Sequence, residues 1–121
     1  MNHTTETWPA VTDYYRYVDA GDINALVDLF SKDAVYHRPG FPPIVGHDGL
    51  LRFYASGRVI AHGRHQLHQI VADGSRIAVN GTFDGVLKDH TCVSLAFADF
   101  FTLAGDGRFQ ERRTFFGVPA V

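Results

Sequence analysis

Asp99 is the one acid in an otherwise apolar run, Leu95-Ala96-Phe97-Ala98-Asp99-Phe100-Phe101-Thr102-Leu103. The aromatic and aliphatic content suits a β-strand with both faces covered. A carboxylate placed there must meet a cation or stay protonated. Ionised, it is a general base or the anchor of an ion pair; protonated, it is a donor for a developing oxyanion. Strongly perturbed carboxylates cluster at active sites, although an arginine partner that only holds the sheet is the equally plain alternative.

Histidine is the second chemical signal, with seven in 121 residues. His62, His65 and His68 recur in the segment His62-Gly63-Arg64-His65-Gln66-Leu67-His68. On a helix that spacing would gather them on one side. Here the segment reads as a loop leading into a strand, where His65 and His68 face opposite ways. No cysteine cluster and no HExxH pattern accompanies them, so neither a metal site nor a cofactor is expected. His3, His47 and His90 fall in a terminus, a helix start and a hairpin and are expected to be solvated. Cys92 lacks any catalytic signature and is expected to be a small core residue.

These residues need a scaffold, and composition bounds it. At 121 residues and 45% hydrophobic content, residues 1–121 suit one domain with its own core. A net charge of −2 supplies no basic footprint for nucleic acid. The longest apolar run is too short to span a bilayer, so no membrane partner is expected. Residues 1–7 lack the basic start and apolar core of a secretory signal. A single cysteine forms no internal disulfide. Together these place the chain in the cytoplasm. Ten Phe, five Tyr and one Trp are enough to line a large apolar pocket as well as fill a core.

The elements follow from spacing. Pro9 suits the first turn of a helix, after which Val11, Tyr14, Tyr15 and Val18 form one apolar face. Gly21 is a C-terminal stop and Asp22 a cap for a second helix, whose face is Ile23, Leu26, Val27 and Phe30. A short strand covers 34–38 and a turn-rich loop covers 39–43. Residues 46–49 lead into a third helix, started by His47 or Asp48, that buries Leu50, Phe53 and Tyr54 and ends near Gly57. Four strands follow at 65–72, 76–86, 90–103 and 108–117, separated by turns at 73–75 and 104–107. Helices first and an antiparallel meander after them give an α+β fold: three N-terminal helices covering a cone-shaped, curved antiparallel sheet. The cone is the expected ligand site.

The run from Tyr17 through Ala34, Tyr17-Val18-Asp19-Ala20-Gly21-Asp22-Ile23-Asn24-Ala25-Leu26-Val27-Asp28-Leu29-Phe30-Ser31-Lys32-Asp33-Ala34, resembles the opening of the nuclear-transport-factor-2-like superfamily. The helix at 46–54 and the ending Arg113-Thr114-Phe115-Phe116-Gly117 fit it too, so the resemblance covers nearly the whole chain. The nearest pattern is the branch of ketosteroid isomerases and SnoaL-like polyketide cyclases. The superfamily also holds scytalone dehydratase, limonene epoxide hydrolase and non-enzymes, so fold alone does not decide function. The resemblance puts Tyr14 and Asp99 where an isomerase keeps a tyrosine and a protonated aspartic acid as its oxyanion hole. It puts Arg38, before Pro39, where the isomerase keeps its aspartate base. Arginine holds its proton, so steroid double-bond isomerisation is not expected. His37 has the proton affinity of a base, but strand alternation turns it away if Arg38 points inward, unless a bulge re-aims it. The resemblance also turns Arg112, Thr114 and Phe116 inward, so that Arg38 and Arg112 can approach Asp99 and keep it ionised. A catalytic histidine of cyclase and dehydratase relatives corresponds to His65 or His68.

The reading that follows is a small-molecule enzyme that moves a proton in an isomerisation, cyclisation or dehydration. Its substrate is hydrophobic and carbonyl-bearing or polycyclic. Tyr14 would donate to the substrate oxygen and Asp99 would be acid or base. Arg38 would bind an anionic substituent or tune Asp99. His37, His65 or His68 would be a second proton carrier. Phe30, Phe53, Tyr54, Val79, Phe83, Phe101 and Phe116 would form the wall, with Arg112 beside them. The competing reading is a non-catalytic module that stores a ligand or pairs with a partner. Epoxide hydrolysis by an Asp-Arg-Asp arrangement lacks a second inward acid, because Glu111 alternates away from Arg112. Phe100, Phe109 and Phe115 are expected to face outward, which points to a homodimer through the open face of the sheet.

Overall fold

A computed structural model describes residues 4–117, with side chains from residue 9 onward; His3 lies outside them. Asp22 shows how local chemistry starts an element. Its side chain accepts from Ala25 N at 3.3 Å and opens helix α2, Ile23–Asp28. Helix α1, Thr4–Ala20, ends where Gly21 takes φ +74 and Asp22 N donates to the Tyr17 carbonyl at 2.9 Å. Pro9 lies inside α1 rather than in its first turn, so the helix lacks one backbone donor there. Val11, Tyr14, Tyr15 and Val18 are all buried, as one face of a helix requires.

Phe30 does not end the second helix. It opens strand β1, Phe30–His37, which starts earlier than the apolar pattern suggests. A two-residue strand β2, Ile44–Val45, leads into helix α3, Gly46–Arg52, which ends in a π-helical turn at Phe53–Gly57. No side chain caps α3. His47, expected in solvent, instead donates from Nε2 to the Phe30 carbonyl at 2.6 Å. The remaining strands are β3, Ile60–Asp73, β4, Arg76–Leu87, β5, Cys92–Leu103, and β6, Phe109–Gly117. Their order across the sheet is β2-β1-β6-β5-β4-β3. β1 runs parallel to β6 and every other neighbour is antiparallel, so the sheet is mixed. The α+β architecture with three helices on one face of the sheet is present.

Strand β5 has one covered face rather than two. Phe97, Asp99, Phe101 and Leu103 are buried, while Phe100 stands 50% exposed on the other side. The run reads as apolar throughout only because Ala96, Ala98 and Phe100 occupy the outer face. Phe115 is equally exposed and meets Phe100 edge-on at 5.9 Å. Phe109 belongs to the inside: a register shift after Thr102 sets it against Leu103, fully buried. Cys92 is exposed, not core, and so is His90 in its hairpin, which takes φ 72. The narrow end of the cone is closed by rings, with Phe101–Phe109 at 4.7 Å and Phe30–Phe109 at 5.2 Å. No helix of the described residues is long and apolar enough to cross a membrane.

Candidate active site

The β5–β6 register sets Asp99 opposite Thr114 and Phe101 opposite Arg112, turning residues 99, 112 and 114 to the inner face. Asp99 is fully buried and Arg112 is 4% exposed. Asp99 Oδ2 accepts from Arg112 Nη2 at 2.8 Å and from the Tyr15 hydroxyl; its Oδ1 accepts from the Thr114 hydroxyl. Three donors on two oxygens suit an ionised carboxylate, which has no proton of its own to place.

Arg112 is the hub. Its Nη1 donates to Tyr14 Oη at 2.6 Å and to Tyr54 Oη at 3.2 Å. The Tyr14 and Tyr36 rings flank the guanidinium at 4.5 and 4.4 Å. Burial works against its charge, but Asp99, followed by Tyr14, Tyr36 and Tyr54, outweighs burial and holds Arg112 well above the ordinary arginine value. The Tyr14 and Tyr54 hydroxyls share a hydrogen bond. Tyr54 arrives there from the π-helical turn, a distortion that often re-aims a residue at a functional site. Burial pushes Tyr54 up to about 12 against the pull of Arg112. It raises Tyr14 well above the ordinary phenol value, and burial followed by the Asp99 charge does the same for Tyr15.

These shifts predict an alkaline signature. An unfolded chain releases its phenol protons near pH 10. The folded chain keeps those of Tyr14, Tyr15 and Tyr54, so this contribution to stability is full below about pH 10 and declines as pH climbs toward 12. A native titration followed by tyrosinate absorbance is expected to leave these three of the five tyrosines unionised at pH 11. Early ionisation of all five would contradict the burial.

Tyr14 and Asp99 do not meet directly; the phenol that reaches Asp99 is that of Tyr15. A second polar unit lies on the other side of Tyr15. His65 Nδ1 is 2.6 Å from Asp19 Oδ1, and the His65 backbone N donates to Asp19 Oδ2 at 2.8 Å. Asp19 stands one helical turn after Tyr15 on α1 and shares its face. A carboxylate only accepts, so Nδ1 carries the proton and Nε2 of the neutral ring keeps its lone pair. Nε2 has no hydrogen-bond partner among the described residues. The ring is wedged beside Phe83 at 4.7 Å, Tyr15 at 5.1 Å and Phe97 at 5.3 Å.

The other two histidine candidates lie elsewhere. His68 alternates to the exposed outer face, just where a register shift falls between Leu67 and Gln69, and lies 3.5 Å from Thr82 Oγ1. His37 points away from the cone to Glu111, with Nε2 3.2 Å from Oε2. Arg38 does turn inward, but not to Asp99. Its Nη1 reaches Tyr36 Oη at 3.4 Å and its guanidinium sits over Phe116 at 5.0 Å and Phe53 at 5.5 Å.

A narrow cleft, open at its mouth and with a free volume of about 20 Å³, joins His65 to Tyr14, Tyr54, Asp99, Arg38 and Arg112. Of the expected wall, Phe53, Tyr54, Phe83 and Phe116 line it, together with Arg112. Phe30, Val79 and Phe101 do not: they are buried core, with Phe30 and Phe101 both 5.9 Å from the Tyr14 ring and Val79 paired with Asp99. Sequence reasoning missed Asp19, Tyr15, Tyr36 and Arg58. The spacing of Tyr15 and Asp19 and the alternation of Tyr36 with Arg38 carried signals for three of them. Asp99 is the one acid lining the cleft among the described residues, which leaves an Asp-Arg-Asp water site incomplete. No group of three or more metal-ligating side chains occurs among those residues.

A family model described as a SnoaL-like domain matches residues 11–112. Two solved structures share the fold. SalBIII, described as an epoxide hydrolase/cyclase-like enzyme in pyran ring formation in the polyether salinomycin, superposes with a TM-score of 0.84 at 24% identity, over 98% of this chain and 95% of that one. TerC, co-crystallized with polyporic acid, superposes with a TM-score of 0.81 at 22% identity, over 92% and 91%.

Proposed function

The chain belongs to the SnoaL-like domain family, and from that premise we propose that its cleft is the active site of a proton-transfer enzyme. The reaction class is isomerisation, cyclisation or dehydration of a hydrophobic, carbonyl-bearing or polycyclic small molecule. The observation that carries this reading is His65, held by Asp19 at Nδ1 and unpartnered at Nε2, in the same cleft as two phenols backed by Arg112.

The phenols supply the electrophile. Tyr14 and Tyr54 have two hydroxyl protons between them, and their mutual hydrogen bond uses one. Arg112 can only donate to them, so the second proton is left for a substrate carbonyl oxygen. His65 Nε2 takes a proton from the carbon beside that carbonyl, and the electron pair moves onto the oxygen, where the phenols and Arg112 stabilise it. Asp19 stabilises the imidazolium that forms. Collapse of the enolate then decides the outcome. Returning the proton to a different carbon isomerises the substrate. Attack on a second carbonyl carbon of the same molecule closes a ring, with the proton passing to the new alkoxide. Expulsion of a β-hydroxyl takes the proton away as water. Asp99 has both oxygens engaged and acts as a positioning residue that holds Arg112 and Tyr15.

The test is deuterium wash-in from D₂O at the activated methylene of 2-tetralone, followed by NMR. Catalysis above buffer that disappears in His65→Gln supports the reading. A protein that binds the ketone without exchanging its protons would support the ligand-storage alternative instead. A second copy over the outer face belongs to the same proposal, because Phe100 and Phe115 leave an apolar patch there. A monomeric mass at micromolar concentration would remove that part.

A further inference from the structure

Three arginines line the cleft, Arg38, Arg58 and Arg112, against one carboxylate, Asp99. Asp99 is taken by Arg112. Among the described residues no carboxylate pairs with Arg38 or Arg58. Arg38 is the sharper anomaly. Its Nε is shut off from solvent with no acceptor, and the one side-chain hydrogen bond it makes among the described residues, to Tyr36, is long at 3.4 Å. Buried donors of a charged group are costly to leave unmet, and an arriving acceptor removes that cost. Phe41, Phe53 and Phe116 surround the guanidinium at 5.9, 5.5 and 5.0 Å, which lowers the local dielectric without offering it an acceptor.

We infer that the natural ligand of this cleft is an anion, an aromatic or polycyclic carboxylate, whose carboxylate group sits on Arg38. The guanidinium fork matches a planar carboxylate in two parallel hydrogen bonds, and Arg38 and Phe41 also line an adjoining groove of about 300 Å³ that has room for a flat ring system attached to it. Arg58, over the Tyr54 ring at 5.7 Å, adds a second positive charge to the same cleft. The inference rests on the cleft being the ligand site proposed above, and it does not depend on which reaction follows.

Calorimetric titration with 2-naphthoate and 2-naphthamide separates charge from shape, since both present the same ring system. At about pH 7.5, where a carboxylic acid is ionised, wild type is expected to bind the acid at least about tenfold tighter than the amide. Arg38→Met abolishes that preference, and Arg38→Lys, which keeps charge but loses the fork, retains a few-fold of it on the order expected for a point charge. Lys also guards against a folding failure of the Met variant. Equal affinity for acid and amide in wild type, no binding of either, or an undiminished preference in both variants would overturn the inference. His65→Gln keeps the preference while losing proton exchange. If wild type prefers the acid but exchanges no proton, the catalytic reading fails and this one stands; exchange without the preference is the reverse.

Discussion

Asp99→Ala is expected to cost about 3–5 kcal/mol of stability, because it leaves Arg112 as an uncompensated buried cation. Tyr15 and Thr114 lose their acceptor at the same time. For a chain of this size the loss corresponds to a fall in Tm of roughly 10–20 °C, readable by scanning calorimetry. Asp99→Asn is expected to fall between, since the amide oxygen still accepts hydrogen bonds while the charge is gone. The decisive comparison is the double variant Asp99→Leu/Arg112→Met. Removing both charges takes away the desolvation cost together with the attraction, so most of the lost stability is expected to return. If Asp99→Ala alone stays within about 1 kcal/mol of wild type, the carboxylate does not anchor this network.

The largest functional effect is expected at His65. His65→Gln removes the proton acceptor and is expected to lower the rate of deuterium wash-in into 2-tetralone by about 10²–10⁴-fold. KM should change little, and Tm should fall only modestly, because Gln keeps a donor for the part-buried Asp19 carboxylate while giving up the ring contacts to Phe83, Tyr15 and Phe97. Asp19→Asn keeps the shape but frees the imidazole to adopt the other tautomer, which puts the proton on Nε2 and blocks it as a base. A loss of at least about tenfold in kcat is expected there, with the greater part of substrate binding retained. Full activity in His65→Gln would move the base elsewhere in the cleft.

Local chemistry made much of the scaffold legible. Gly21, Asp22 and the turn residues around Gly74 and Gly107 marked where elements stop, and each of these glycines takes a positive φ. The burial of Asp99 was readable from its apolar run, and the inward set Arg112, Thr114 and Phe116, which the family resemblance implied, matches the β5–β6 register. What stayed hidden depended on packing between distant elements. Tyr14 and Tyr15 are neighbours on one helix, and only the docking of α1 on the sheet decides which phenol meets Asp99. The pairing of Asp19 with His65 spans 46 positions and exists only because α1 lies across β3. His65 and His68 face opposite ways, as alternation along the strand requires; the register shift at His68 changes only which residues after it turn inward. Alanine and phenylalanine on the outer face of β5 disguised a half-exposed strand as a buried one. The direction of Arg38 was open in the sequence, and its lack of a carboxylate partner emerged only once Asp99 was seen to be taken by Arg112.

The central claim is that His65 presents an unprotonated Nε2 to the cleft, and the tautomer can be measured directly. Long-range ¹⁵N–¹H correlation on histidine-labelled protein, with the His65 signals assigned by their loss in His65→Gln, reports which ring nitrogen carries the proton. The expected result is a protonated Nδ1 and an unprotonated Nε2 in the neutral ring, reversing to a mixture in Asp19→Asn. A neutral His65 with its proton on Nε2 in wild type would contradict the account, because that nitrogen cannot accept a proton from substrate.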